Sequence, residues 1–260
     1  MAANQGEMIM SAVLLALLFQ MTPAAAPPAP AMMGPAPGGY IEGLSPIGML
    51  RLLPPPPAAG SSEDKADRFL YREGKGGIGG PEWQRAIGQL SITSPAYVKA
   101  VSCALGANLS PQTTPATMRL LRRAGLDLAK AVFAAKDYYK RPRPFSTDGG
   151  KACDPDHAVD GGKPLGFAYP SGHAAVGWLW GLILSDARPS RSAEVLKFGK
   201  ETGDLRIACR VHWASDVTGG RLMATALYQR IEDAPDYKED LRAARAELPL
   251  APVPEGCPAS

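Results

Sequence analysis

The spacing of hydrophobic residues along this chain is mainly that of α-helices. Between Thr114 and Tyr139, Thr114 can cap the N-terminus and Pro115 suits the first helical position, while Pro142 cannot continue a helix. The apolar residues of this segment that fall near one stripe are Met118, Leu121, Leu128, Val132 and Ala135. We therefore predict one long amphipathic helix, with Lys136 in its last turns.

A second strong helix is predicted from Ala174 to about Ser185, and it is apolar on nearly every side. Such a helix belongs in the middle of a bundle, because each face needs an apolar neighbour. The sequence Pro170-Ser-Gly-His173 precedes it. The free backbone N–H groups of Gly172 and His173, together with the positive end of the helix dipole, are therefore well placed to bind an anion.

The other helical segments are predicted at 63–72, 81–90, 95–105, 193–211, 215–231 and 235–248. Alternating, strand-like runs are few, and no internal repeat is present. The pattern predicts an all-α fold: a single helical-bundle domain over 54–250 with its active site formed at helix ends. The polar, Gly-rich stretch 146–169 is expected to be a loop over that site, and its His157 an exposed residue without a role.

The pattern of residues at the N-terminus is similar to that of a secretion signal. An apolar run from Ile9 to Met21 leads to Ala24-Ala-Ala26, which suits signal peptidase, and the run is short for a membrane span. Glu7 precedes the run and no Lys or Arg does, which is atypical; a true start at Met8 or Met10 would account for it. We expect a cleaved signal peptide and an exported protein, with an uncleaved anchor as the alternative.

These patterns divide the chain into four parts. Residues 1–26 are the predicted signal peptide. Residues 27–53, rich in Pro, Ala and Gly, predict an extended linker or a strap lying on the domain. The predicted domain covers 54–250, and 251–260 form a C-terminal tail.

Length, charge and cysteine content narrow the functional classes. A chain of 260 residues with 45% hydrophobic content can hold one sizeable domain. A net charge of +3 without a basic run argues against nucleic acid as a partner. The even number of cysteines fits an oxidising compartment, although buried free thiols are the alternative. Their spacing matches no zinc pattern and leaves three pairings open among Cys103, Cys153, Cys209 and Cys257.

The chemistry centres on the stretch from Arg206 to Asp216. His212 and Asp216 are four residues apart, so on a helix the carboxylate can hold one imidazole nitrogen and leave the other free to react. Arg206 lies on a different helical face and reaches the site only if its helix ends or bends before His212. Alone, the pair is ambiguous, because a His-x-x-x-Asp pair can also be a surface pair or a buried, satisfied histidine.

Two other segments supply matching groups. Lys136 and Arg143 flank a helix end, and Ser171-Gly172-His173 begins the apolar helix. Each has a simpler interpretation, as a solvated cationic cluster that includes Lys140 and Arg141, or as a common helix start. Together they place two of the three histidines beside cations suited to a tetrahedral oxyanion.

The three segments form the pattern Lys136-x6-Arg143-Pro144, Pro170-Ser-Gly-His173 and Arg206-x5-His212-x3-Asp216. This pattern resembles the three-block signature of the type 2 phosphatidic acid phosphatase and haloperoxidase superfamily. Within it, the chain is similar to the periplasmic, bacterial class A non-specific acid phosphatases from about Pro54 to the last helix, which implies a periplasmic protein. Two positions depart from that family: Leu205 stands where serine is usual, and Arg210 where glycine is usual, which opens the question of changed access or added charge near the pocket.

The resemblance implies a phosphomonoester hydrolase with defined residue roles. His212 attacks phosphorus and becomes a phosphohistidine, Asp216 fixes its tautomer, and His173 protonates the leaving oxygen and then helps to activate water. The phosphoryl oxygens are held by Lys136, Arg143, Ser171, Gly172 and Arg206. No metal or cofactor is needed, and an acidic to near-neutral optimum is expected.

The resemblance further implies inhibition by inorganic phosphate or vanadate, a homo-oligomer, and disulfides that join Cys153 to Cys209 and Cys103 to Cys257. Transfer of the phosphoryl group to alcohols stays open. Three alternatives are a lipid phosphate phosphatase, a vanadate-dependent haloperoxidase and a non-catalytic phosphate-binding protein. The chain is much shorter than the haloperoxidases, and it lacks the several apolar segments of the integral membrane phosphatases.

Overall fold

The computed structural model describes residues 38–43, 45–51, 53–154 and 166–257, all in one compact unit. Within these residues the fold is all-α, which confirms the prediction. The helices are α1 (Pro46–Leu50), α2 (Ser62–Glu73), α3 (Pro81–Gly88), α4 (Pro95–Leu105), α5 (Pro115–Tyr139), α6 (Pro144–Thr147), α7 (Gly172–Ala187), α8 (Ser192–Ala208), α9 (Ala214–Ile231) and α10 (Pro235–Glu247). The predicted signal peptide, the first part of the predicted linker and His157 lie outside the described residues.

Helix α7 lies at the centre, as its all-round apolar character predicts. It packs against α8, α9 and α5, and Leu179, Ile183 and Leu184 are fully buried. Glycines bring α7 and α8 into backbone contact: a Cβ atom at Gly199 would lie 2.7 Å from the carbonyl oxygen of Gly177. The N-terminus of α7 is thereby held firmly among its neighbours.

Helix α5 spans the predicted segment, but its N-terminal cap differs from the expected one. The Thr114 side chain makes no capping bond to the helix; its Oγ1 accepts the N–H of Ser110 at 3.0 Å. The carboxylate of Glu247, at the end of α10, accepts the N–H groups of Ala116 and Thr117 instead. A tertiary contact therefore satisfies the free donors that a local cap would have taken.

The two helix ends around His212 also differ from the predicted helices. Helix α8 ends at Ala208 rather than at Val211, and Arg210 turns the chain with a φ of 64°. Helix α9 begins at Ala214, one residue before the predicted start, so His212 lies between α8 and α9 and does not share a helical face with Asp216. Asp216 nevertheless turns back toward the helix start, because its carboxylate accepts the backbone N–H of Trp213 at 2.8 Å.

The described end of the predicted linker, from residue 38 onward, lies on the bundle. Tyr40, Met49 and Leu53 are buried in the core, and the Asp127 carboxylate on α5 accepts the N–H of Tyr40 at 2.6 Å. This part is not wholly extended, because Ser45 caps α1. Residues 38–43 and 45–51, with Leu53, therefore pack on the bundle.

Two disulfides join Cys103 to Cys257 and Cys153 to Cys209, the pairing that the resemblance implied. All four cysteines are therefore bonded, and the alternative of buried free thiols is wrong. The first disulfide fastens the predicted C-terminal tail to α4. Among the described residues, the helices are too short or too polar to cross a membrane.

Candidate active site

His212 lies buried between a carboxylate and a guanidinium. Its Nδ1 is 3.2 Å from Oδ2 of Asp216, and its Nε2 is 3.2 Å from Nη1 of Arg143. A guanidinium only donates hydrogen bonds, so Nε2 accepts and Nδ1 carries the proton that is donated to Asp216. The two neighbours thus fix one tautomer, whose lone pair is on Nε2 and accepts from Arg143.

Asp216 is held from three sides. Oδ2 accepts the backbone N–H of Trp213, and Oδ1 accepts Nη1 of Arg141 at 2.6 Å. Its own carbonyl accepts the N–H of Ser171 at 2.9 Å, which ties the start of α9 to the start of α7. Burial raises the pKa of this carboxyl group to about 6, although Arg141 opposes the shift.

Arg143 and Lys136 are positioned by backbone carbonyls. Arg143 donates to the oxygens of Val211 at 2.8 Å and Gly166 at 2.9 Å, and Lys136 donates to that of Phe167. Burial lowers the pKa of Arg143 to about 10, so this side chain stays charged. Burial and the neighbouring Arg143 lower the pKa of Lys136 to about 7.

Arg206 was expected to reach the site only if its helix ends or bends before His212. Helix α8 does end before that residue, at Ala208. Its Nη2 donates to the carbonyl oxygen of Ala86 at 3.1 Å, and burial lowers its pKa to about 10. Its Nε is buried and has no hydrogen-bond partner among the residues that the structure describes. A buried donor of this kind suits an anionic ligand.

His173 and Ser171 lie at the N-terminus of α7. Ser171 is the N-cap, and its Oγ accepts the N–H of Ala174 at 3.3 Å. Nε2 of His173 lies 3.0 Å from the carbonyl oxygen of Leu90, so Nε2 carries the proton and Nδ1 is the basic nitrogen. Burial lowers the pKa of His173 to about 3, and Arg206 is the largest Coulombic contributor.

The predicted residues therefore share one electrostatic environment. Burial lowers the pKa of His212 well below its usual value, and repulsion from Arg143, Lys136, His173 and Arg206 lowers it further. Gly172, the first residue of α7, lies between Ser171 and His173, and a Cβ there would be 3.7 Å from Val132. The arrangement combines a neutral nucleophilic imidazole, a second imidazole and three cations, which suits a tetrahedral oxyanion.

The two residues that depart from the family pattern lie beside the site. Leu205 is buried in an apolar cluster with both cysteines of the Cys153–Cys209 disulfide. Arg210 is also buried: its guanidinium stacks on the ring of Tyr71 at 3.7 Å, and it donates to the carbonyls of Lys151 and Tyr71. Its charge is thus held by α2 and by the segment before the disulfide.

The sequence interpretation missed Arg141 and Asp67. It grouped Arg141 with solvated cations, but the structure buries this side chain between Asp67 and Asp216. Asp67 comes from α2, and it also accepts the N–H of Ser215 at 3.0 Å. Nothing in the local sequence distinguishes Arg141 from its exposed neighbour Lys140, so no linear signal could have identified the pair.

Known proteins with similar sequences identify the family of this chain. The family model described as the PAP2 superfamily matches residues 123–231. A non-specific acid phosphatase of Salmonella typhimurium is 34% identical over 197 residues, which are 75% of this chain and 78% of the relative. A non-specific acid phosphatase of Providencia stuartii is 31% identical over 213 residues, 80% of this chain and 84% of the relative.

An acid phosphatase of Zymomonas mobilis is likewise 31% identical, over 78% of this chain and 76% of its own length. The superfamily match includes Arg143, both site histidines, Arg206 and Asp216. On this identity and coverage, the chain belongs to the non-specific acid phosphatases of the PAP2 superfamily.

Proposed function

We propose that this phosphoric monoester hydrolase works as an acid phosphatase through a covalent phosphohistidine on His212. The hydrolase class follows from the family. The observation that carries the mechanism is the fixed tautomer of His212: Asp216 holds Nδ1, and the lone pair of Nε2 faces the guanidinium of Arg143. A phosphoryl group drawn to Arg143 is thereby brought to the nucleophilic nitrogen.

In the first step, Nε2 of His212 forms a bond to phosphorus and the P–O bond to the leaving alcohol or phenol breaks. The leaving oxygen takes a proton from Nδ1 of His173. The imidazole of His173 is neutral in the ligand-free site, where burial and the nearby cations lower its pKa to about 3. The negative phosphoryl group offsets those cations, so substrate binding favours protonation of His173.

In the second step, neutral His173 accepts a proton from water while the water oxygen attacks phosphorus. The P–N bond breaks, and the electron pair returns to Nε2 of His212. An alcohol in place of water would give phosphotransfer by the same route. Asp216 stabilises the positive imidazole ring of the intermediate.

The cations perform the work that a divalent metal ion does in other phosphatases. Lys136, Arg143 and Arg206 can each donate to a phosphoryl oxygen, as can the Ser171 hydroxyl and the Gly172 N–H at the start of α7. We therefore propose a metal-independent reaction in which phosphate and vanadate, as tetrahedral oxyanions, inhibit. The N-terminal signal pattern supports secretion to the periplasm, and the family resemblance supports a homo-oligomer.

The test is phosphate release from an aryl phosphate between roughly pH 4 and 8 in excess chelator, for wild type and His212→Ala. We expect turnover by wild type alone, and an acid-labile phosphoenzyme after rapid quenching with ³²P-labelled substrate. His157→Ala serves as the matched histidine control and is expected to keep both signals. Loss of wild-type activity in chelator with recovery on adding a divalent ion would contradict the proposal, as would a labelled His212→Ala protein.

A further inference from the structure

Arg141 bridges two buried carboxylates behind the candidate nucleophile. Its Nη1 lies 2.6 Å from Oδ1 of Asp216, and its Nη2 lies 2.8 Å from Oδ2 of Asp67. Asp67 also accepts hydrogen bonds from the backbone N–H and the hydroxyl of Ser215. These contacts join α2 and the segment after α5 to the first turn of α9.

The surroundings of Asp216 contain charges of both signs. Burial raises the pKa of Asp216 to about 6, Coulombic attraction to Arg141 lowers it, and repulsion from Asp67 raises it. The titratable and charged groups that face this carboxylate from the elements around it are Asp67, Lys136, Arg141, Arg143, Tyr169 and His212. Of these, Arg141 and His212 make direct contact with it.

We propose that Arg141 is a positioning residue that keeps the Asp216 carboxylate charged at a lower pH than its burial alone would allow and aimed at Nδ1 of His212. Asp67 weakens this effect because it shares the guanidinium. The proposal rests on the proposed function, since it concerns how the nucleophile is prepared. Arg141 acts through Asp216: its guanidinium donates to Asp67, Ser215 and Asp216 and packs near the ring of Trp213.

The chemical consequence follows from the tautomer of His212. A charged Asp216 accepts the Nδ1 proton and leaves Nε2 free to attack. A protonated Asp216 carries a donor, which favours the opposite tautomer with the proton on Nε2, and such an imidazole cannot attack phosphorus. Activity therefore falls when Asp216 is protonated. Arg141 lowers the pH at which this happens, and Asp67 raises it.

The experiment is the acid limb of kcat/KM against pH, which reports groups of the free enzyme. Arg141→Gln keeps a donor to Asp216 but removes the charge, and we expect its acid limb to move to higher pH by roughly one unit. Asp67→Asn keeps an acceptor for Arg141 and Ser215 but removes the negative charge, and we expect its acid limb to move to lower pH. All variants use one substrate, so that the ionisation of the substrate cancels.

The matched control is Arg123→Gln. Arg123 is equally buried and also bridges two carboxylates, Asp236 and Asp240, but these belong to α10. Its loss is expected to lower stability and leave the acid limb in place. Arg141→Lys, which keeps the charge, is expected to restore most of the wild-type limb. A purely structural role would leave the acid limbs of Arg141→Gln and Asp67→Asn in place, or would shift both in the same direction. Either result would overturn the proposal.

A readout independent of turnover separates this proposal from the proposed function. The ¹⁵N chemical shifts of the His212 ring report which nitrogen is protonated in the ligand-free protein. We expect Nδ1–H in wild type and a shift toward Nε2–H in Arg141→Gln at about pH 7, where the Asp216 carboxylate of the wild type is still charged. If wild type has no phosphatase activity, the proposed function fails while this measurement still decides the role of Arg141. If Arg141→Gln does not fold, Asp67→Asn and Arg141→Lys decide it.

Discussion

Nη1 of Arg143 lies 3.2 Å from Nε2 of His212 while it also donates to the carbonyl oxygen of Val211, the residue before that histidine. The same guanidinium thus recognises the nucleophile and its backbone. Because Nε of Arg143 is also held, by the carbonyl oxygen of Gly166, the side chain cannot swing far from the imidazole. An incoming phosphoryl oxygen can take over the Nη1–H bond from Nε2, which leaves the lone pair able to attack beside a cation that is already in place.

The substitution Arg143→Lys tests this alignment. Lysine keeps a charge but cannot donate at once to Val211, Gly166 and a phosphoryl oxygen, so we expect kcat to fall on the order of 10²–10³-fold. Arg188→Lys is the matched control, because Arg188 also donates to two backbone carbonyls, of Leu105 and Gly106, and it lies at the C-terminal end of α7. Initial rates that fall by less than about threefold in Arg143→Lys would contradict the assigned role.

The pKa of Lys136 predicts how anion binding depends on pH. Burial and the neighbouring Arg143 lower this pKa to about 7, so the ammonium group is charged below that pH and neutral above it. Affinity for an oxyanion should therefore weaken as pH rises through this value. We expect the inhibition constant of tungstate, which stays a dianion in this range, to rise above about pH 7 in wild type.

Lys136→Arg provides the comparison, because a guanidinium stays charged throughout that range. We expect the pH dependence of tungstate inhibition to move to higher pH in this variant, even if the affinity at pH 6 is lower. If tungstate inhibition has the same pH dependence in both proteins, a group other than Lys136 causes the loss of affinity above about pH 7.

The role of His173 predicts a dependence on the leaving group. His173→Gln can still donate to the carbonyl oxygen of Leu90, the partner of Nε2, but it has no proton to give to a leaving oxygen. We expect kcat for an alkyl phosphate to fall on the order of 10²–10⁴-fold, and kcat for a nitrophenyl phosphate to fall much less, because nitrophenolate leaves without protonation. Equal losses on both substrates would assign His173 a role other than general acid.

The helices could be predicted from apolar spacing, but several of their ends could not. Helix α5 has the predicted length because prolines and a continuous apolar stripe act locally. The early end of α8 depends on Arg210 at a φ of 64°, which is uncommon for a residue other than glycine and leaves no mark in the periodicity. The cap from Glu247 comes from 131 residues away along the chain.

The same distinction applies to the site. Residues within the three blocks were proposed from the sequence because their types suit an oxyanion and because their order and spacing resemble a family signature. Arg141 and Asp67 were not, since their pairing joins positions 74 residues apart and appears only when α2 packs beside α9. Residues that position a nucleophile through tertiary contacts are therefore harder to find in the sequence than the nucleophile itself.

One disulfide should contribute more to stability, and the other more to activity. Cys103 and Cys257 are separated by 154 residues and Cys153 and Cys209 by 56, so chain entropy predicts stabilisation of about 5 and about 4 kcal/mol respectively. The disulfide that closes the shorter loop, Cys153–Cys209, however, fastens the end of α8, where Cys209 lies three residues before His212. Cys153 also donates its backbone N–H to the carbonyl oxygen of Cys209 at 2.9 Å.

Replacing both Cys103 and Cys257 by Ala should therefore lower the free energy of unfolding more, while kcat under native conditions stays near the wild-type value. Replacing both Cys153 and Cys209 by Ala should lower the free energy of unfolding less, but reduce kcat between about 10- and 100-fold, because the segment that carries His212 is no longer held in place. Urea unfolding and initial rates on the same preparations measure both quantities. If kcat follows stability in the two variants, the disulfide beside His212 has no special part in positioning the nucleophile.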